Sequence, residues 1–206
     1  MNLSRRQLIA VLAGGAGAFA ATGTGALGAL GARALQGTDQ GPASIGEVLR
    51  SANGELRVQL VVNPGTAIVN GSAVAGLATY NGEFPAPTLV VRPGDRMRIR
   101  LINNGSTITN LHFHGMHVSP RGHQDNVFIE VEPGNVHEYD VKIPQDHPGG
   151  LFWYHPHHHT ESGPQVWAGL SGLLIVEGGA SLLPQVRGLR KHSIALREGG
   201  LGPDGA

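Results

Sequence analysis

The 206-residue chain predicts an all-β domain, a Greek-key β-sandwich, and three observations carry that prediction. Apolar and polar residues alternate with period two in three separate segments, the pattern of strands buried on one face only. Pro-Gly and Asn-Gly pairs recur between them at intervals suited to a sandwich or barrel. Glycine and proline number 32 and 13, a composition that favours short strands and turns over long helices. Hydrophobic residues make up 40% of the chain, enough to bury a core.

From the N-terminus, Ser4-Arg5-Arg6-Gln7-Leu8 precedes an apolar stretch rich in Ala, Gly and Leu that carries no charge until Arg33. This is the layout of a twin-arginine export signal. Ala32-Arg33-Ala34 supplies the small-x-small pattern that a signal peptidase reads. Residues 1–34 are therefore read as a cleavable signal peptide, and the mature chain is expected in the periplasm or outside the cell, with no membrane contact after cleavage. A membrane anchor is the competing reading of about twenty apolar residues, but glycines and threonines dilute the segment.

The sandwich is expected over residues 45–178. Leu56, Val58 and Leu60 share one face of a first strand, with Arg57 and Gln59 on the other. Arg96-Met97-Arg98-Ile99-Arg100-Leu101 repeats the pattern more cleanly, and Glu138-Tyr139-Asp140-Val141-Lys142-Ile143 repeats it again. Turns are expected at Pro64-Gly65, Pro93-Gly94, Asn104-Gly105, Pro133-Gly134 and Pro148-Gly149. Leu173-Leu174-Ile175-Val176 is apolar throughout and reads as a central strand that closes the domain. Residues 179–206 read as a linker followed by a strand, Lys191 to Leu196, that opens a second domain missing from this chain. The alternative is an edge strand folding back on the sandwich.

Fifteen basic residues balance fifteen acidic ones, so no electrostatic case exists for nucleic acid or an anionic membrane surface. Cysteine is absent. That excludes disulfides, thiolate catalysis, iron-sulfur clusters and thiolate-ligated copper or zinc within the chain.

Ten of the eleven histidines lie between His112 and His159. Three His-x-His pairs occur: His112-Phe113-His114, His155-Pro156-His157 and His157-His158-His159. In a strand, residues i and i+2 project to the same face about 6.7 Å apart, so both imidazoles of a pair enter one space. Two such strands side by side present four ring nitrogens to a shared cavity. Neutral imidazole suits copper, zinc, nickel and iron alike, and spacing alone does not choose among them. His112, His114, His155 and His157 are read as metal ligands. His117, His123, His137, His147 and His192 are read as surface or satisfied interior residues, and His158 and His159 stay open.

These segments carry a family resemblance. Leu111-His112-Phe113-His114-Gly115-Met116 resembles the first copper motif of multicopper oxidases, the laccase-like enzymes, and Trp153-Tyr154-His155-Pro156-His157-His158-His159 resembles their second. Tyr80 to Pro87, Arg92 to Asp95 and Gln165 to Leu170 are similar to strands of the family's first domain. The match covers about residues 56 to 178 and implies a cupredoxin-like (plastocyanin-like) sandwich. It further implies copper as cofactor, with His112 a ligand of the single type 2 copper and His114, His155 and His157 ligands of the paired type 3 coppers. Asp125, eleven residues after His114, matches the family's acidic residue that helps deliver protons near that cluster.

The family's other two histidine motifs, one containing the cysteine of the electron-accepting type 1 copper, are missing, and neither Met97 nor Met116 replaces a thiolate. The resemblance therefore implies an exported domain equivalent to the first third of an oxidase, supplying half of a trinuclear oxygen-reducing site. It would be truncated, or would work with a complementary oxidase chain or in a homo-oligomer that shares half-sites. The alternative is an exported copper-binding protein for storage or delivery, without catalysis.

Overall fold

The computed structural model describes residues 46–69, 72–178, 184–186, 188–190 and 192–196. The signal segment expected over residues 1–34 lies outside them. Among the described residues nine strands dominate: β1 (Val48–Arg50), β2 (Glu55–Val69), β3 (Ser72–Tyr80), β4 (Thr88–Val91), β5 (Arg96–Asn103), β6 (His112–His114), β7 (Val136–Lys142), β8 (Gly150–His155) and β9 (Gly172–Val176). One short helix, α1 (Ser162–Ala168), sits between β8 and β9. The strands form two mixed sheets, in the orders β1-β4-β9-β8-β6 and β3-β2-β5-β7. Among the described residues, no helix is long and apolar enough to cross a membrane.

The alternating segments account for the core. Leu56 and Leu60 of β2, Met97, Ile99 and Leu101 of β5, and Tyr139 and Val141 of β7 are buried on the inner face of the four-stranded sheet. They join Leu89, Val91, Phe113, Tyr154, Leu174 and Val176 of the other sheet in one hydrophobic cluster. Each such side chain contributes about 1.5–3 kcal/mol on leaving water. The outward residues of β5 pair across the sheet: Arg96 with Asp140, Arg98 with Glu55, and Arg100 with Glu138. β9 lies between β4 and β8, the central place its unbroken apolar run implies.

Two expectations are corrected. Pro64-Gly65 makes no turn but continues β2, whose register shifts between Gly65 and Thr66. The parallel pairing of β2 with β5 ends at Val62. Val62 O accepts from Asn104 on the β5 side, and two residues on Pro64 faces that same, now open, side. Its missing N–H therefore costs no ladder bond. Gln165 to Leu170 is not a strand, because residues 162–168 are helical. Pro164 falls in the first turn, where no N–H is needed, and Gly169 ends the helix at φ 124° with its N–H on Val166 O. Residues 192–196 pair with neither sheet, and Ile194 and Leu196 are 72% and 93% exposed.

Candidate metal centre

β6 is only three residues long and is fixed by its middle residue. Phe113 is fully buried and packs edge-on against Tyr139, with ring centroids 6.1 Å apart. Its neighbours His112 and His114 must then point to the opposite face. β8 pairs antiparallel with β6, placing His112 opposite His155, Phe113 opposite Tyr154 and His114 opposite Trp153. Tyr154 is buried and its hydroxyl donates to Pro87 O, so β8 is held in the same parity. His112, His114, Trp153 and His155 thus share one face.

The segment entering β6 is tied down by buried polar side chains. Tyr139 Oη accepts the N–H of Leu111 at 2.9 Å; burial raises the phenol pKa, keeping it neutral. Asn110 donates to Val127 O and Ile129 O, and its Oδ1 accepts the N–H of His157 at 2.6 Å. Gln165, on α1, accepts from Thr109 Oγ1 and donates to Ile108 O and Thr107 Oγ1. Gly115 follows β6 at φ 82°, and a Cβ there would lie 3.3 Å from the Phe152 ring.

One ligand nitrogen each from His112, His114 and His155 lies within 4.8 Å of the others. His157 joins them differently from the expected strand parity, because β8 ends at His155 and Pro156 turns the chain. Its ring centroid is nevertheless 5.0 Å from that of His112 and 5.9 Å from that of His155. Beyond the strand end, His159 is exposed and His158 is half-buried, its Nε2 3.4 Å from Glu130. His147 is a satisfied interior residue: its Nε2 accepts the N–H of His117 and its Nδ1 bonds Pro148 O.

The tautomers are set by partners that can only accept. His112 Nδ1 is 2.9 Å from Asp125 Oδ1, which also accepts the N–H of Phe113. The proton sits on Nδ1, which leaves Nε2 with a lone pair. His155 Nδ1 donates to Pro156 O at 2.8 Å, so its Nε2 is also bare. Burial, more than any neighbour, pushes the His155 pKa down to about 4, keeping the ring neutral near pH 7. His114 Nδ1 lies 3.3 Å from that Nε2. Two nitrogens bonded to one ion at about 2.0–2.1 Å, at a tetrahedral angle, stand about 3.3 Å apart. An all-imidazole donor set with no thiol suits copper, as it does zinc, nickel and iron. The residues fit such an ion.

Sequence reasoning missed Trp153, whose ring stacks on His155 at 4.0 Å and lies 4.9 Å from His114. It also missed Asn110 and the hydrogen-bonding role of Gln165, because their partners lie up to 58 residues away.

Comparison with known proteins gives a consistent picture. Residues 61–181 match the sequence profile of a family described as multicopper oxidase. A multicopper oxidase of Staphylococcus haemolyticus is 38% identical over 100 residues, which is 48% of this chain and 21% of that protein. Copper resistance protein A of Pseudomonas syringae pv. tomato is 30% identical over 183 residues, covering 84% of this chain and 26% of the relative. Among solved structures, a multicopper oxidase from Campylobacter jejuni described as a metallo-oxidase superposes with a TM-score of 0.57 at 30% identity, over 64% of this chain and 28% of that one. The chain spans about a fifth to a quarter of the length of these curated relatives.

Proposed function

The chain belongs to the multicopper oxidase family, its cofactor is copper, and from that premise we propose that it supplies the first-domain half of a trinuclear copper site for oxygen reduction. The observation that carries this reading is the convergence of His112, His114 and His155 nitrogens within 4.8 Å, with two of the three lone pairs already fixed by Asp125 and Pro156. His157 completes the proposed ligand set. Copper, when bound, supplies one-electron redox chemistry toward dioxygen.

The chain's own residues do the positioning. Asp125 Oδ1 holds the proton of His112 on Nδ1 and aims Nε2 away from the carboxylate. We assign Asp125 the proton relay: Oδ1 is occupied by two donors, and Oδ2 is the oxygen left to take up and release a proton. Trp153 covers one face of His155 and restricts water there. Asn110 fixes the backbone of His157 relative to the loop that carries Asp125.

Residues 1–206 contain no cysteine, so a thiolate-bound copper that admits electrons would lie outside them, as on a complementary oxidase chain; another copy would share half-sites without supplying a thiolate. A twin-arginine signal over residues 1–34 would place the mature domain, residues 45–178, outside the cytoplasm. The exposed tail of residues 192–196 fits the opening strand of a further domain. A second reading, copper storage or delivery, is favoured by the exposure of His114 and His157, which leaves the cluster open to solvent.

The test is copper per chain on purified protein, with an absorption spectrum and oxygen uptake with a phenolic donor. Copper bound without a blue band or turnover is expected, and specific binding should be lost in the double variant His112→Ala/His157→Ala. Unchanged stoichiometry in that variant contradicts the site. Oxygen uptake restored by adding a cysteine-containing oxidase fragment separates the half-site from the carrier.

A further inference from the structure

A second pair of imidazoles faces each other outside this cluster. His123, in the loop between β6 and β7, places Nδ1 3.3 Å from Nε2 of His137 on β7. The rings stack with centroids 5.1 Å apart and planes inclined by 27°. His137 is half-buried and held edge-on by Tyr139, with centroids 4.7 Å apart, whereas His123 is exposed. Both were expected to be ordinary surface or interior residues.

We propose that His123 Nδ1 and His137 Nε2 form a two-histidine site that captures a divalent copper ion from solvent, separate from the His112–His114–His155 cluster. The nitrogen separation equals that of His114 and His155 within the cluster and matches two ligands on one ion. Without metal, one ring donates an N–H to the other's lone pair; on binding, that proton moves through solvent to the donor ring's other nitrogen, the ion sits between the two lone pairs, and water completes its coordination. Burial lowers the His137 pKa, with the neighbouring His123 adding to the effect, which keeps a lone pair available. Copper is the divalent ion that such a nitrogen pair holds most tightly in the Irving–Williams order.

The position gives the ion a structural consequence. β7 is an edge strand, and residues 123–124 already cap its free N–H groups: Asp140 N donates to His123 O and Lys142 N to Gln124 Oε1. A metal clip between His123 and His137 fastens that same loop to β7 two residues before Asp125, which positions His112. The inference does not depend on the oxidase reading.

Copper(II) sulfate titration of the full chain, followed by electron paramagnetic resonance and competition with a weak chelator, tests it. Wild type is expected to bind one more equivalent of copper(II) than His123→Ala, with splitting from two nitrogens in that equivalent and at least tenfold weaker uptake in the variant. His123 is exposed, so the variant retains the fold, which circular dichroism checks; His137→Asn should reproduce the loss. His192→Ala should leave the equivalent in place. Equal stoichiometry and affinity in wild type, His123→Ala and His137→Asn would overturn the proposal, as would loss of the equivalent in His192→Ala.

Discussion

Replacing Asp125 separates the two tasks of its carboxylate. Oδ1 accepts from both His112 Nδ1 and the N–H of Phe113, each at 2.9 Å. In Asp125→Ala the charge-assisted bond to His112, worth about 1.5–3 kcal/mol, is lost, and the buried Phe113 N–H is left unpaired at about 1–3 kcal/mol. Non-additivity brings the expected destabilisation to about 3 kcal/mol. His112 is also free to change tautomer and swing, and loss of such an orienting partner typically costs about 10–100-fold in metal affinity. Asp125→Asn keeps an oxygen facing both donors, so it should recover most of the stability while still weakening copper through the lost charge. Urea unfolding of metal-free protein and copper titration against a chelator read the two effects. An Asp125→Ala chain that binds copper as tightly as wild type would refute the argument, and so would an Asp125→Asn chain as unstable as Asp125→Ala.

Four further outcomes follow from named contacts. Tyr139→Phe leaves the buried N–H of Leu111 without its acceptor and should cost about 1–3 kcal/mol, measured by chemical unfolding, with faster amide exchange at Leu111. The native pKa of His155, about 4, lies below the unfolded value of about 6.5. The native state therefore binds fewer protons between those values, so metal-free stability is full above about pH 6.5 and falls as pH drops toward 4; thermal melts of wild type and His155→Asn should converge at the acid end. Gly172→Ala would drive a methyl into the Tyr154 ring, an overpacking cost of about 1–3 kcal/mol that should lower the melting temperature. Trp153 stacks on His155 while Trp167 is 52% exposed, so in a Trp167→Phe chain bound copper should quench nearly all the remaining tryptophan emission, and His155→Ala should remove that quenching at one equivalent.

The long strands were legible because their information is local. β5 buries every second residue and β7 buries Tyr139 and Val141 with the same period, and period-two alternation reports that burial directly. β6 was not legible as a strand from periodicity, since three residues are too few; the histidine spacing marked it instead. Pro64-Gly65 misled because a turn dipeptide is indistinguishable in sequence from a proline on the open side of a strand, and that openness depends on where β5 ends. The same-face argument brings His112, His114 and His155 together as the fold does, but it does not account for His157, which lies beside His112 because Pro156 breaks the strand and Asn110 holds the following backbone. Asp125 sits thirteen residues from His112, and only the family resemblance suggested it. The pairing of His123 with His137 spans a loop and two different elements, so no spacing rule could reach it.

The central claim is that the imidazoles of His112, His114 and His155, joined by His157, hold copper in this chain without a thiolate. X-ray absorption at the copper edge, on protein loaded with one equivalent, tests it most directly. The account predicts a first shell of nitrogen with outer scattering from at least three imidazoles and no sulfur, reduced by one imidazole in His114→Ala. A shell with two imidazoles or fewer, or a spectrum unchanged in both His114→Ala and His155→Ala, would contradict it.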